Sequence, residues 1–232
     1  MLTSDTGKDR KTRETLTESV TDRITEDIVF GGLQPGAKLR IEDLKSRYST
    51  GASPIREALS GLVAQGFVTS ETRRGFRVAE MSRADLVEIT EIRTLIELKA
   101  LELSIQRGGR DWEEGVVVQM ARLRHAVKQA NNEGVPLDPG LDGVHEDYHR
   151  SLLAACGSPR LIGLQETYYE LAKRYRMLVF RQRYTQEDFL QQHEILTDVV
   201  LSRRLEASLA ELRRHLRLLV TLLPADEFPD QG

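Results

Sequence analysis

The chain has one cysteine among 232 residues, Cys156. An intramolecular disulfide is therefore excluded, which fits a reducing compartment such as the cytoplasm. It also has no long apolar run. The longest, residues 216–223, is interrupted by Arg217 and is far shorter than the roughly 20 residues a bilayer-crossing helix needs. Residues 1–14 are polar and charged, without the apolar stretch of a secretory signal, so none is expected. No internal repeat or low-complexity tract is present. Positive charge is not in excess either. The formal net charge is −3; residues 1–80 carry 13 Lys and Arg against 12 Asp and Glu, and residues 81–232 carry 20 against 24. Any nucleic-acid surface must then be a local basic patch. With 40% hydrophobic residues, the chain reads as a soluble globular protein of one or two domains.

What is present is concentrated first in residues 39–78. A short helical pattern, Ile41–Tyr48, is followed by turn residues Ser49, Thr50 and Gly51. A second helix is expected to start with Ser53 as N-cap and Pro54 at the first helical position. Ile55, Leu59, Leu62 and Val63 share one face of it, and Ser53, Arg56 and Ser60 share the other. Gly66 ends this helix. Phe67-Val68 and Phe76-Arg77-Val78 read as two strands joined by a turn from Glu71 to Gly75 that carries Arg73 and Arg74. Helix, tight turn, helix and hairpin make a winged helix-turn-helix. Its second helix offers Ser53, Arg56 and Ser60 to base edges in the major groove. Arg47, Arg73, Arg74 and Gly75 are candidates for the phosphate backbone or minor groove. The alternative for Arg56 is an ion pair on its own helix.

Residues 33–39 (LQPGAKL), 53–59 (SPIREAL), 66–68 (GFV) and 73–76 (RRGF) resemble the GntR family of bacterial transcription regulators over about residues 17–80. Two positions depart from the family pattern. Ala52 stands where many members have an arginine that contacts DNA, and Glu42 where some members use an arginine, so the resemblance implies a different base readout here.

Residues 1–14 are expected to be a disordered tail. Thr15 and Glu18 fit a capping box that opens a first helix, with Leu16, Val20, Ile24 and Ile28 on one face. Residues 15–80 would form the DNA-binding domain. Beyond Val78 the pattern is helical throughout. Ser82 and Asp85 form a second capping box, Thr185 and Asp188 a third. Breaks fall at residues 107–111, 132–136 and 157–159. The last apolar pattern, from about residue 185 to Leu223, would make a helix of about 58 Å if unbroken, so a turn is expected near residues 202–204. The fold class is mainly α: an N-terminal winged helix-turn-helix and, over residues 81–224, a six-helix antiparallel bundle. This half resembles the FCD effector domain of the FadR-like subfamily, through residues 93–97 (RTLIE), residues 145–149 (HEDYH), His193 and His215; six helices resemble the VanR-type branch.

Four of the five histidines have the spacing of a metal site. His145 and His149 lie four apart on one helix face. His145 interrupts the apolar stripe Leu141, Tyr148, Leu152; His193 interrupts Phe189, Leu196, Val200; His215 interrupts Leu212, Leu219, Leu222. Three imidazoles in three core stripes would be costly without partners, and one shared divalent ion satisfies them all. The 193 and 215 positions are also symmetric about residue 204, so an α-hairpin turning there holds both at one depth. The family resemblance implies Asp, His, His, His as ligands, with the aspartate position occupied by His145. An all-nitrogen set favours Zn²⁺, Ni²⁺ or Cu²⁺ over Mn²⁺, with Zn²⁺ and Ni²⁺ the leading cofactors. Asp142, one turn earlier, is a candidate outer partner. His125 reads as a surface residue.

Arg93 lies on the stripe Ile89, Ile96, Ala100, Leu103 and must face an anion. That anion is either Glu97, one turn on, or the carboxylate of a bound effector, as the family resemblance implies. Arg174, Tyr168 and Tyr169 are weaker candidates for the wall of such a cavity. The leading expectation is a cytoplasmic transcription regulator that binds operator DNA as a homodimer and responds to a small-molecule effector, repressing until the ligand arrives. The alternatives are a metal-dependent hydrolase, since residues 145–149 match H-E-x-x-H as a string, and a helical interaction protein with a satisfied polar core.

Overall fold

The structure, a computed structural model, describes residues 6–71, 75–133, 139–182 and 185–223, and the chain divides into two units, Met1–Met81 and Ser82–Gly232. The first unit holds α1 (Thr6–Val29), β1 (Lys38–Leu39), α2 (Ile41–Tyr48), α3 (Ala52–Ala64), β2 (Val68–Glu71) and β3 (Gly75–Val78). Its core is the predicted one. Val20, Ile24 and Ile28 of α1 and Ile55, Leu59 and Leu62 of α3 are buried, and α1 packs against α3. Leu16, expected on the same stripe, is 45% exposed.

Three local details differ from the sequence reading. Helix α1 begins nine residues before Thr15, within the segment expected to be a disordered tail: residues 6–14 contain no proline to stop a helix that has already nucleated downstream. Ser53 is not the N-cap of α3. Gly51 holds that position, with extended backbone and no side-chain cap, and Ser53 Oγ instead donates to Glu57 Oε1 at 3.0 Å. The wing is a three-stranded sheet of order β1-β3-β2. Lys38 and Leu39 pair antiparallel with Arg77 and Phe76, a strand too short to leave a periodic signal. Gly66, at φ +83°, reverses the chain after α3, and the Phe67 amide reaches back to Leu62 O at 3.0 Å. Val68 and Val78, and Ser70 and Phe76, then pair across β2 and β3.

The second unit holds, among the described residues, the six expected helices: α4 (Arg83–Arg107), α5 (Arg110–Glu133), α6 (Pro139–Leu153), α7 (Pro159–Gln182), α8 (Gln186–Leu201) and α9 (Leu205–Leu222). Thr185 Oγ1 caps α8 by accepting the Asp188 amide at 3.0 Å. At α4 the capping box is half made. Ser82 Oγ accepts the Asp85 amide, but the Ser82 amide donates to Tyr175 Oη, which itself donates to Asp85 Oδ2. A tertiary residue has replaced the reciprocal half of a local motif.

The turn between α8 and α9 falls at residues 202–204 as expected, without glycine or proline. Arg203 adopts φ +56°, a left-handed conformation costly for a side chain with a Cβ. Its guanidinium supplies the compensation. It donates to Ile105 O at 3.0 Å, to Gly108 O and to Glu113 Oε1 at 2.9 Å, and lies 5.6 Å over the Trp112 ring. The turn is thus fixed by anchoring to the α4–α5 connection. Charged hydrogen bonds of this kind contribute about 1.5–3 kcal/mol. Arg203→Ala should lose that much in urea unfolding, and Arg203→Gly, which tolerates the backbone, should lose less. Equal losses would show that the backbone conformation contributes nothing.

Candidate functional site

Helices α6, α8 and α9 bring four imidazoles together inside the second unit. His145, His149 and His193 are buried and His215 is partly so. One nitrogen from each lies within 4.8 Å of all the others. The Nε2 atoms converge: His145 to His193 at 2.9 Å, His149 to His145 at 3.0 Å, His215 to His149 at 3.3 Å. Four Zn–N arms of about 2.0–2.1 Å in a tetrahedron put neighbouring nitrogens about 3.3 Å apart; these three contacts are at or just under that length, while the whole set spreads over up to 4.8 Å.

The outward nitrogens explain why the inward ones are available as ligands. His193 Nδ1 lies 2.6 Å from Phe189 O, so it carries the proton and leaves Nε2 as a bare lone pair. His145 Nδ1 meets Tyr169 Oη at 2.8 Å, and Tyr169 Oη donates to Asp142 O at 3.4 Å, so it can accept from the imidazole. His149 Nδ1 faces Glu97 Oε2 at 3.9 Å. Among the described residues His149 Nδ1 and His215 Nδ1 have no hydrogen-bond partner. A ring that carries its proton on the outer nitrogen, as His193 does, leaves its inner lone pair free for a cation. The donor set fits a metal ion.

The electrostatics agree. Burial pushes all four histidines below the ordinary imidazole pKa, His193 down to about 4, with the neighbouring histidines acting in the same direction on His145, His149 and His215. Burial likewise raises the Tyr169 hydroxyl well above its ordinary value, so it stays a neutral phenol.

Asp142, expected beside His145, has other partners. Its carboxylate takes Arg176 at 2.8 Å and Lys173 at 2.9 Å. Burial raises its pKa, but the two cations more than reverse this and hold it ionised. Arg176, on α7, is not among the residues the sequence points to; Arg174, which is, is buried beside it on the same helix. Arg93 pairs with Glu97 through Nε at 2.8 Å and through a terminal nitrogen at 2.7 Å, both side chains being buried. Its guanidinium also lies 5.3 Å from the Tyr169 ring. Tyr168 is half-buried on α7, and His125 is exposed beside Gln129.

In the first unit, Ser53, Arg56 and Ser60 are exposed on α3, as expected. Arg56 has no carboxylate partner among the described residues, so the ion-pair alternative is not realised there. Arg47 is committed instead. It holds Asp27 Oδ2 at 2.8 Å, alongside the Tyr48 hydroxyl at 2.6 Å. Burial would raise the Asp27 pKa, but these hydrogen bonds hold it low. Glu42 is exposed and paired with Lys45 at 2.7 Å. Gly75 opens β3 at φ +92° with open space around it. Arg73 and Arg74 lie outside the described residues.

Comparison with known proteins agrees with both halves. Residues 16–78 match the bacterial regulatory proteins of the gntR family, and residues 88–218 match the FCD domain. The chain belongs to the GntR family of transcription regulators and carries an FCD domain. It is 36% identical over 197 residues to the HTH-type transcriptional repressor GlaR of Escherichia coli, covering 83% of this chain and 89% of that one. It is 33% identical over 208 residues to the regulator BphR of Paraburkholderia xenovorans, covering 90% and 85%. In fold it is similar to E. coli McbR/YncC, with a TM-score of 0.70 at 19% identity over 89% of this chain and 96% of that one. A GntR regulator from Rhodococcus sp. RHA1 gives a TM-score of 0.65 over 88% and 95%. The family is one of regulators rather than enzymes, which removes the hydrolase alternative raised by the H-E-x-x-H string. Among the described residues no helix is long and apolar enough to cross a membrane.

The lowered histidine pKa values fix the sign of a pH effect. Below about 6.5 the unfolded chain takes up protons that the folded, metal-free protein refuses. Stability is therefore complete above that pH and lost as pH falls toward about 4, where His193 titrates in the folded state. Thermal melts of metal-free protein should show this decline, and His193→Gln should flatten it. A decline of the same steepness in the variant would exclude His193 as a contributor.

Proposed function

We propose that this regulator is a cytoplasmic homodimeric repressor, released from operator DNA by an anionic small molecule that binds beside a metal ion in the FCD domain. His145, His149, His193 and His215 hold one divalent transition ion, Zn²⁺ or Ni²⁺, and Arg93 anchors the effector's carboxylate. The convergence of four Nε2 atoms carries this reading. Bound there, the ion supplies a Lewis-acidic positive charge. Four neutral ligands leave that charge uncompensated, so the site favours an anion. The name of GlaR, a transcriptional repressor, supports repression as the sign of control.

On the DNA side, Arg56 is the base-reading residue, with Ser53 and Ser60 beside it on the exposed face of α3. Arg73, Arg74 and Gly75 bring the wing to the phosphate backbone. Arg47, tied to Asp27, serves better to orient α2 against α1 than to read a base. A homodimer places two such helices on a two-fold operator.

Two experiments test this reading. DNA fragments selected from random sequence by the purified protein supply the operator. On that operator Arg56→Ala should cost about 1–3 kcal/mol, whereas Arg73→Ala or Arg74→Ala should chiefly reduce the salt dependence. Unchanged binding by Arg56→Ala would overturn the recognition-helix assignment. For the metal, protein purified without a His-tag should contain about one ion per chain, and His149→Ala or His215→Ala should lower that content. A wild type that takes up neither Zn²⁺ nor Ni²⁺, and melts unchanged in chelator, would return the histidines to a hydrogen-bonded core.

A further inference from the structure

The Arg93–Glu97 pair on α4 contributes no ligand to the histidine cluster, yet it touches the cluster's outer side. Glu97 is 1% exposed and uses its two oxygens differently. Oε1 accepts from Arg93 Nε at 2.8 Å and from a terminal guanidinium nitrogen at 2.7 Å. Oε2 has no hydrogen-bond partner, and it lies 3.9 Å from His149 Nδ1, which is equally buried and equally without a partner. The opposite nitrogen of that ring, Nε2, is at the centre of the cluster, 3.0 Å from His145 and 3.3 Å from His215. Two unpaired buried polar atoms, a donor facing an acceptor, are each costly. Less than about 1 Å of movement would bring them to normal hydrogen-bond length.

We propose that Glu97 is the positioning residue for His149 as a metal ligand, and that Arg93 controls it. This rests on the metal reading above. With an ion on Nε2, the Nδ1–H of His149 becomes a stronger donor and closes on Glu97 Oε2, giving a carboxylate–histidine–metal chain of the kind that orients a ring and raises its basicity. Arg93 works against this closure. Both of its contacts are to Oε1, so it holds the carboxylate turned toward itself and neutralises the charge His149 would use. An anionic ligand that takes the Arg93 guanidinium frees Glu97 for His149 and so tightens the ion. By reciprocity the ion then tightens the anion. The pair is a coupling element between the two binding events, and this role differs from the inert internal ion pair that the sequence also allowed.

The two substitutions should act in opposite directions. In competition titrations of Zn²⁺ against a chelator, using the full-length protein, Glu97→Gln should weaken Zn²⁺ binding by about 10- to 100-fold. Arg93→Met should strengthen it. Removing a nearby positive charge would also strengthen it with no help from Glu97, so the double variant decides. In the Glu97→Gln background, Arg93→Met should bring no gain, because its effect runs through the carboxylate. A gain that persists in the double variant overturns the proposal, as does Zn²⁺ affinity unchanged by Glu97→Gln. A wild type that binds no Zn²⁺ overturns the metal reading itself. Because a buried charge left unpaired can unfold the variants, wild-type protein is tested as well. With ¹⁵N-histidine labelling, Zn²⁺ should bring out a downfield, solvent-protected Nδ1–H on His149. A Zn²⁺-loaded ring coordinated through Nδ1 contradicts the proposal.

Discussion

Everything in the second unit is arranged around four imidazole nitrogens brought within 4.8 Å of one another in a buried site. Burying polar rings is costly. Two of the four are held from outside, His193 by Phe189 O and His145 by the Tyr169 hydroxyl. Helix α6 supplies two rings by its own periodicity. Helices α8 and α9 supply one each, and their depth is matched because the connection between them turns at Arg203. That turn is held by the α4–α5 connection through the Arg203 guanidinium. A residue distant from the cluster therefore sets the register on which two of the four rings depend.

Around the rings lies a layer of ion pairs. Asp142 is matched by Arg176 and Lys173, and Glu97 by Arg93. Tyr169 joins the two pairs. Its hydroxyl meets His145, and both guanidinium groups lie against its ring, Arg176 at 4.3 Å and Arg93 at 5.3 Å. A divalent ion on four neutral ligands adds charge that this layer does not cancel. On the metal reading proposed above, that uncancelled charge would draw an anionic small molecule to the site.

Local signals carried much of this in the sequence. The stripes on α1 and α3, the punctuation of the bundle helices and the i,i+4 pair His145/His149 all follow from spacing along one helix. So does the turn at residues 202–204, inferred from the length of the pattern before it. What spacing could not supply is partner choice across helices. Asp142 sits one turn before His145, yet two cations on α7 claim it. The Ser82 capping box is broken open by Tyr175, which is 93 residues away. Arg47 looks like a free basic residue until Asp27, on a different helix, pairs with it. β1 is too short for any pattern, and Ser53 lies inside α3, which starts at Ala52 after Gly51. For Asp142, Ser82 and Arg47 a tertiary contact outweighed a local preference.

The central claim is that one ion is shared by four histidines on three helices. X-ray absorption at the metal edge of the Zn²⁺-loaded, tag-free protein tests it most directly. The account predicts a first shell dominated by nitrogen at about 2.0–2.1 Å, with the outer-shell scattering of four imidazoles and no sulfur. A shell with two or fewer imidazoles, or one made mainly of oxygen, would contradict it.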